Sequence, residues 1–496
     1  MVRRRNRGKI FLGGLVLFVL VGGLAFLGVQ FVTKTGIFRV PGVVTYDESL
    51  TEAELGVLSE IFTDEVELDS DVKVSAEYLM TRPEPKEGEY IYNIWVPTTD
   101  FYSVDGDVEV TDAEKLFGES SNADETFAMT PVDELDYTQR LMSLNGKYYL
   151  DEMDSGAVFR VVRFESDSFE DEIKPLVDET FGRDWPGKDS VLTFAQTGVT
   201  AMSRGMNAKL DAVGDAKYFS QNIAEYLSQF DLTHTSNEAS FTDYASNNNI
   251  CSDPRFMDTL TDIGLDIVEL TGNHNQDCGD DAAIQSIDMY NEKGIKVVGG
   301  GKTADDAAVP LSISEKNNNI TFLAYNLSTG GATTDDTPGA NQYYEDSAAA
   351  DISAAKERGD FVIVDIQYYE CSAYASEYED ATCDRADSAA GDQVGFFRHL
   401  IDLGADVVVG TSAHQPQTFE LYGDGAIYYG LGNLFFDQIW WPGTTRSLIL
   451  VHYFNNGKLL QTKIVPTVYN DTMQTKLMEK EDKGWFIQRL INVKPY

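Results

Sequence analysis

One short segment near the amino terminus constrains this chain more than any other feature. Residues 10–32 form an uncharged apolar run, and a basic cluster that ends at Lys9 comes directly before it. At about 1.5 Å per residue, a helix of this length crosses a hydrocarbon core about 30 Å thick. Flanking basic residues stay on the cytoplasmic side of a membrane. We therefore expect residues 1–9 to be a cytoplasmic tail, residues 10–32 to be a transmembrane signal anchor, and the C-terminal bulk to be extracellular.

A cleavable signal peptide is the alternative for the same segment. Its apolar region would be unusually long, and Gly28-Val29-Gln30-Phe31 lacks the small residues typical of a cleavage site. No second apolar run of comparable length follows in the sequence. A retained, single-pass anchor in the cell membrane, followed by a linker at residues 33–47, is therefore the expectation.

The charge of the chain excludes one class of function. The sequence has 81 Asp and Glu against 38 Lys and Arg, a net charge of −43. Such a polyanion repels a phosphate backbone, so a general nucleic-acid binder is excluded. An acidic surface of this kind can also keep a protein soluble at high salt. With 43% hydrophobic residues, the chain has enough apolar surface for folded cores.

The four cysteines agree with an extracellular location. Cys251, Cys278, Cys371 and Cys383 are an even number, and an oxidising compartment allows them to pair. No two have C-x-x-C spacing, so a zinc ribbon is not indicated. Of the three pairings that four cysteines allow, we predict Cys251 with Cys278 and Cys371 with Cys383. Four buried free thiols are the alternative.

Residues 48–187 are expected to form a separate N-terminal extracellular α/β domain. Residues 51–61 have a helical pattern, and residues 91–97 and 158–164 are apolar runs typical of buried strands. Turn residues from Asp184 to Gly187 suit a domain boundary. Nothing in this part indicates a ligand.

From residue 190 to residue 470, short apolar strands alternate with amphipathic helices. Strands are expected at residues 191–195, 265–270, 296–299, 320–325, 361–368, 405–409 and 426–429, and helices at residues 216–229, 254–263, 282–293, 348–358 and 393–403. The alternation predicts an α/β fold of sheets flanked by helices, with polar sites at the carboxyl ends of the strands. Residues 471–496 are expected to form a C-terminal helix.

Three loops that follow predicted strands carry polar residues. One loop contains Asn273 and His274, a second contains His414 after a glycine turn, and a third places Asn237 beside Glu238. Amide and carboxylate oxygens suit hard divalent cations, and imidazole extends the choice to Zn or Mn. One such loop is usually only a turn. Three of them at strand ends of one domain favour a metal site.

These motifs, in their order along the chain, resemble a known family. Gly272-Asn273-His274, residues 404–414 and the block of residues 428–437 around Gly432-Asn433 are similar to the CapA family of capsule-synthesis proteins. That family lies in the calcineurin-like metallophosphatase superfamily and is linked to poly-γ-glutamate capsule biosynthesis. Its members are commonly held by one N-terminal membrane span. The resemblance covers residues 191–468 and implies a layered, metallophosphatase-like domain.

The resemblance also implies roles for particular residues. His274 and Asn273 would be catalytic, with His274 near the leaving group while a metal-activated water attacks a phosphoryl or amide-like centre. The implied ligands of a divalent metal (Mn, Fe or Zn) are Asn237, Glu238, Asn273 and His414. The implied substrate-binding residues are Arg204, Gln367 and Asn433.

The chain departs from the family's pattern at three expected ligands. Residues 192–206, which should contain the family's Gly-Asp motif, hold no Asp or Glu. Gln367 stands in place of a strand-end His, and Thr411 or Ser412 stands in place of an inner His. A two-metal hydrolase needs a bridging carboxylate and several imidazoles. A partly degenerate site that holds one ion at best is therefore the expectation.

The remaining histidines and two tryptophans have less specific interpretations. His399 and His452 are expected to have packing roles, and His234 a structural one, although it could reach the site. Trp440 and Trp441 are adjacent and precede a turn. They would either stack on a carbohydrate or pack as part of a lid.

Two functions from different classes follow. The first is a membrane-anchored extracellular protein of capsule or cell-envelope polymer biosynthesis, of the poly-γ-glutamate type, with hydrolase activity if its site binds metal. The alternative is a non-catalytic polymer-binding or scaffold protein that has lost its metal centre. The expected partners are the polymer, the membrane and a capsule-synthesis membrane complex. The charge of −43 opposes direct contact with polyglutamate unless cations bridge the two polyanions.

Overall fold

The structure, a computed structural model, describes residues 42–63, 66–104, 106–111, 113–117, 127–328, 330–369 and 391–493. The predicted tail and signal anchor lie outside these residues, as do Cys371 and Cys383. Within the described ranges, no helix combines the length and apolar character needed to span a bilayer.

The described chain forms two compact units. Unit one contains the described residues up to Ser75 together with Arg163–Glu179. Unit two contains Ala76–Val162 and the described residues from Thr180 onward. The predicted limits of the domains at residues 48, 187, 190 and 470 stay predictions.

Unit one is built around a capped helix and a short parallel strand pair. The helix Glu52–Ile61 begins with a capping box, in which the Thr51 hydroxyl accepts from the Glu54 amide and the Glu54 carboxylate accepts from the Thr51 amide. Such a cap stabilises a helix start by about 1 kcal/mol. Strand β1 (Val44–Tyr46) runs parallel to the first half of β2 (Val72–Leu79). The helix predicted at residues 51–61 is confirmed.

The other strands, in chain order, are β3 (Glu89–Asp100), β4 (Asp107–Val108), β5 (Ala128–Pro131), β6 (Gln139–Leu141), β7 (Ser143–Leu144), β8 (Val158–Glu165), β9 (Leu192–Thr200), β10 (Leu232–Asn237), β11 (Ile267–Glu269), β12 (Lys296–Val298), β13 (Gly300–Gly301), β14 (Leu311–Glu315), β15 (Asn318–Asn326), β16 (Gly339–Ala340), β17 (Phe361–Gln367), β18 (Val407–Gly410), β19 (Phe419–Tyr422), β20 (Gly425–Tyr428), β21 (Asn433–Phe435), β22 (Arg446–Asn455), β23 (Lys458–Val468) and β24 (Lys476–Leu477). The other α-helices are Tyr149–Glu152, Lys174–Phe181, Gly205–Val213, Ala224–Leu227, Met257–Asp262, Asp280–Glu292, Ala304–Ala307, Glu345–Glu357, Gln393–Asp402 and Lys480–Asn492. The strands predicted at residues 91–97 and 158–164 lie within β3 and β8 and are confirmed.

Two large sheets form most of unit two. The first has the strand order β12-β11-β10-β9-β22-β23-β24, with β21 beside β9. The second has the order β14-β15-β17-β18-β20-β19. Strands β9 to β12 run parallel to one another, and in the second sheet β15, β17, β18 and β20 do the same. In each sheet, the carboxyl ends of these strands therefore meet at one edge.

Apolar clusters show that the two sheets are stacked face to face with helices outside. Along β9, Phe194 belongs to the cluster between the sheets, whereas Ala195 belongs to the cluster that contains Leu210 of an outer helix. On the second sheet, Val364 packs with Phe397 of another outer helix. Successive residues of a strand point to opposite faces, so central strands such as β9 and β17 are buried on both sides. These contacts give helix, sheet, sheet and helix layers and confirm the predicted mixed α/β class.

Tertiary contacts changed two predicted helices. The helix predicted at residues 216–229 is wrong, because a 3-10 turn at Ala216–Tyr218 and a short helix at Ala224–Leu227 replace it. Between them, the Ser220 hydroxyl donates to Asp262 of a neighbouring helix at 2.7 Å. The C-terminal helix begins only at Lys480, because Lys476–Leu477 pairs with β23 instead.

Candidate functional site

The predicted site residues lie at the strand ends of both sheets. Asn237 is the last residue of β10, Gln367 is the last residue of β17, and Asn433 is the first residue of β21. The loop after β11 carries Asn273 and His274. Two close backbone approaches hold these loops together: a Cβ on Gly272 would meet the Glu238 side chain at 2.7 Å, and a Cβ on Gly198 would meet the Gly432 carbonyl oxygen at 2.0 Å.

A buried histidine connects the two sheets at this edge. His414 Nδ1 lies 2.8 Å from Asn433 Oδ1, and His414 Nε2 lies 3.7 Å from Glu238 Oε2. The amide of Asn433 donates to the Thr444 carbonyl and to Gln438, so its oxygen is the acceptor. His414 Nδ1 therefore carries the hydrogen, and Nε2 faces the carboxylate. Burial, together with the positive charges of His274 and Arg204, lowers the pKa of His414 to about 4.

Acid is therefore expected to destabilise the protein through His414. Its pKa is about 4 when folded against an ordinary value of 6.5, so the unfolded chain takes up the proton first as the pH falls. The stabilisation by neutral His414 is complete above pH 6.5, and about 2 kcal/mol of it is lost by about pH 5. Urea unfolding of the wild type and of His414→Gln at both pH values measures this difference. An equal difference between the two proteins at both values would contradict the prediction.

The amide side chains that the resemblance implies as metal ligands, Asn237 and Asn273, already take part in hydrogen bonds. Asn237 Oδ1 accepts from the Thr200 hydroxyl at 3.1 Å, and its amide donates to the Ala239 carbonyl at 2.9 Å. Gln367 Nε2 donates to Asn273 Oδ1 at 3.0 Å. Since Gln367 stands where the resemblance implies a histidine, a hydrogen-bond donor has replaced an electron-pair donor. The contact fixes the Asn273 loop against the second sheet.

His274 lies at the accessible rim of the site. Its side chain is 22% exposed, and Nδ1 lies 2.8 Å from Asp277 Oδ2. The next residue, Cys278, forms a disulfide with Cys251, which confirms one of the two predicted pairs. The disulfide ties the loop of His274 and Asp277 to the neighbouring loop. Asp277 therefore orients the imidazole ring of His274 through Nδ1, without using Nε2.

Arg204 occupies a strained position beside the same residues. It has φ of +48°, in a region that side chains other than glycine rarely adopt. Its Nη2 lies 2.5 Å from Asp437 Oδ1, and its guanidinium lies 4.7 Å from the centre of the Phe436 ring. The Phe436 ring in turn lies 5.3 Å from the His414 ring. Asp437 thus holds Arg204 in place, a role that no motif predicted for it.

All eight predicted site residues therefore come together at one edge of the stacked sheets. They are Arg204, Asn237, Glu238, Asn273, His274, Gln367, His414 and Asn433. Their assigned roles in catalysis, metal binding and substrate binding stay predictions. Trp440 and Trp441 follow β21 with 63% and 38% of their surface exposed.

The residues present do not fit the two-ion centre that the resemblance implies. In the described part of the chain, no three His, Cys, Asp or Glu side chains are grouped to hold a metal ion. The oxygens of Asn237 and Asn273 already accept hydrogen bonds, which leaves Glu238 and His414 as one pair. Protein sites for zinc and similar ions supply three or four ligands. A single pair falls short of that number.

A layer of buried ionisable residues that no motif predicted lies beneath the site. Glu269 and Asp365 lie on predicted buried strands, and both side chains are fully buried. His234 Nε2 lies 3.2 Å from Asp365, so the histidine has a core position, in agreement with the structural role expected for it. The sequence contained one indication of this layer. Buried strands of parallel sheets are normally apolar throughout, so a carboxylate within such a strand is unusual.

The fold and the site together define a mixed α/β protein with a polar site at the carboxyl ends of two stacked sheets. The model of the bacterial capsule synthesis protein PGA_cap family matches residues 193–438, which contain every one of the eight site residues. The chain belongs to this family of CapA-type capsule biosynthesis proteins.

Relatives in three bacteria support the assignment. The chain is 24% identical over 280 residues to the capsule biosynthesis protein CapA of Bacillus anthracis, covering 54% of this chain and 65% of that protein. It is 28% identical over 202 residues to the PGA biosynthesis protein CapA of Bacillus subtilis, covering 40% and 50%. It is 27% identical over 252 residues to a probable polyglutamine synthesis accessory protein of Mycobacterium tuberculosis, covering 47% and 63%. The matched regions thus cover half to about two thirds of each relative's own length.

Proposed function

We propose that this protein serves the synthesis of a poly-γ-glutamate-type capsule or cell-envelope polymer as a non-catalytic binding protein. It is held in the cell membrane by residues 10–32, with the folded units outside, and it works beside a capsule-synthesis membrane complex. Membership in the capsule synthesis family supports the process. The apolar run supports the anchor.

One observation carries the choice of binding over hydrolysis. The Gln367 amide donates to the Asn273 oxygen, and Asn237 is likewise held by Thr200 and Ala239. These hydrogen bonds make Asn237 and Asn273 part of a rigid polar surface. Binding a metal ion through either residue would require the bonds to break. Arg204 offers a guanidinium, which suits carboxylate groups. The net charge of −43 opposes a polyanion, so bridging cations are part of the proposal.

A metal-dependent hydrolase is the second candidate. Glu238 Oε2 and His414 Nε2 lie 3.7 Å apart, and these two atoms could contact one ion. This reading needs further ligands from a rearranged site.

Binding of poly-γ-glutamate fragments to the full-length protein in detergent, with and without Mg²⁺, tests the proposal. We expect binding in Mg²⁺ by protein that carries no stoichiometric Mn, Fe or Zn. Arg204→Gln should weaken binding about tenfold or more, because a charge-assisted hydrogen bond contributes about 1.5–3 kcal/mol. Arg255→Gln is the control, because Arg255 pairs with Asp211 and Asp253 on the surface.

The outcomes separate the two candidates. A stoichiometric transition metal that disappears in His414→Gln, together with hydrolysis of a phosphate ester, would establish the hydrolase. Equal loss of binding in Arg204→Gln and Arg255→Gln would show that the effect is only one of net charge, and the proposed site would be wrong.

A further inference from the structure

A second group of ionisable side chains lies in the core beneath the candidate site. His234 on β10, Glu269 at the end of β11 and Asp365 on β17 have no exposed surface. His234 lies four positions before Glu238, and Glu269 lies four positions before Asn273. Asp365 lies two positions before Gln367. The second residue of each pair belongs to the candidate site. Two-residue steps along a strand keep the same face. The site thus rests on a buried layer that contains two carboxyl groups.

The contacts of this layer are unequal. Asp365 Oδ1 accepts from Gln196 Nε2 at 2.6 Å, whereas His234 Nε2 lies 3.2 Å from Oδ2 without hydrogen-bond alignment. Glu269 Oε1 accepts from both the amide and the hydroxyl of Thr271. Among the described residues, no well-aligned hydrogen-bond donor reaches the second oxygens, Glu269 Oε2 and Asp365 Oδ2.

His234, beside Asp365, carries one positive charge at most, which does not balance two negative charges. Among the described residues, no lysine or arginine forms an ion pair with either carboxyl; Lys296, on the neighbouring β12, acts on Asp266 at the other end of β11. From β10 the pair faces His234 and the Ser236 hydroxyl, and Gln196 on β9 links it to His452 on β22.

His452 does not supply the missing charge either. Burial lowers the pKa of His452 to about 3, so this ring is neutral. Above the layer, the acidic Glu238 packs on Gly272. Two ionised carboxylates in so dry a place would cost several kcal/mol each.

One proton resolves the imbalance. Desolvation raises the pKa of Glu269 above its ordinary value, and the nearby charge of Asp365 raises it further, against smaller opposing effects of Ser236 and Thr271. Two carboxyl groups that interact in this way titrate as a pair. A neutral Glu269 removes the repulsion between the two carboxyl groups.

We infer that Glu269 and Asp365 together carry one proton in the folded protein, and that the neutral Glu269 is a positioning residue for the turn that presents Asn273 and His274. The turn is held from both sides, because Thr271 donates to Glu269 and its carbonyl accepts from Asn326 Nδ2 at 2.7 Å. Loss of the proton sets two like charges against each other in the core, and opening of the turn, which exposes Glu269 to water, relieves that repulsion. The inference rests on the proposed function only in assigning this turn to the binding site.

Two measurements on the full-length protein test it without any polymer. Infrared spectroscopy should show the carbonyl stretching band of a protonated, buried carboxyl near neutral pH, and this band should be absent in Glu269→Gln. Hydrogen exchange at the Thr271 amide, corrected for the intrinsic effect of pH, should lose protection about tenfold per pH unit from about pH 4.5, the ordinary pKa of a glutamate, up to the titration point of the pair. The reason is that opening of the turn exposes Glu269 to water, where it ionises at its ordinary pKa. Glu269→Gln, which is neutral at every pH, should keep constant protection.

Glu292→Gln is the control, since it removes an exposed carboxylate from the helix Asp280–Glu292. It should keep both the band and the pH response. Constant protection of the wild type between about pH 5 and about pH 9, or a band that persists in Glu269→Gln, would overturn the inference. If Glu269→Gln does not fold, the same two measurements on the wild type and on Asp365→Asn test the inference. Failure to bind polymer, with these results intact, would count only against the proposed function.

Discussion

The Asp365→Ala variant of the full-length protein is expected to lose about 3–5 kcal/mol of unfolding free energy, because breaking a buried polar pair leaves its partners unpaired. Asp365 has no exposed surface, and its carboxylate accepts from Gln196 across the interface between the two sheets. His234 faces the same carboxylate at 3.2 Å. Alanine leaves both polar groups in a region lined by Phe194 and Phe322. Urea unfolding followed by fluorescence measures the loss.

Asp336→Ala is the matched control, because Asp336 is exposed in a loop of the same unit. A surface change of this kind should stay within about 0.5 kcal/mol of the wild type. Asp365→Asn keeps an oxygen that can accept from Gln196, so it should cost less than alanine. If alanine at position 365 costs no more than alanine at position 336, the buried layer contributes nothing to stability.

Removing the disulfide by Cys251→Ser with Cys278→Ser should cost about 3.5 kcal/mol of unfolding free energy. The bond joins residues 27 positions apart, and chain entropy of the unfolded state sets the size of this effect for a loop of that length. The measurement is urea unfolding in oxidising buffer. The doubly substituted protein should also exchange the Asp277 amide faster, because the Cys278 anchor is lost.

Reduction of the wild type provides the control for this prediction. A reducing agent should lower the stability of the wild type to about that of the variant, apart from any contribution of Cys371 and Cys383. A variant as stable as the oxidised wild type would show that the two loops are held by their hydrogen bonds alone. Those bonds include the Asn207 amide, which donates to the Cys251 carbonyl at 3.0 Å.

Much of the architecture was accessible from local patterns. Each strand predicted between residues 190 and 470 exists, because an apolar run bounded by turns has the length and composition of a buried strand. The prediction of a helix at residues 216–229 was wrong. The segment is divided between a 3-10 turn at Ala216–Tyr218 and a short helix at Ala224–Leu227, and the periodicity of apolar residues does not reveal this division.

The candidate site was predictable in location but not in chemistry. Asn237, Asn273 and His414 follow strands, and parallel strands bring such residues to one edge. Their hydrogen-bond partners come from other segments: Thr200 for Asn237, and Gln367 for Asn273. A motif states which donors are present, but it does not state whether they are already engaged.

The sequence by itself determined the family, the order of strands and helices, and the set of polar residues that gathers at the strand ends, since these depend on local composition and on motif order. Only the tertiary structure decided that Gln367 holds Asn273, that Asp437 holds Arg204, and that Glu269 and Asp365 lie together under the site. The physical reason is distance. Hydrogen bonds and charges act over a few ångströms in space, and residues separated by about a hundred positions or more become neighbours only when the strands pair and the two sheets stack.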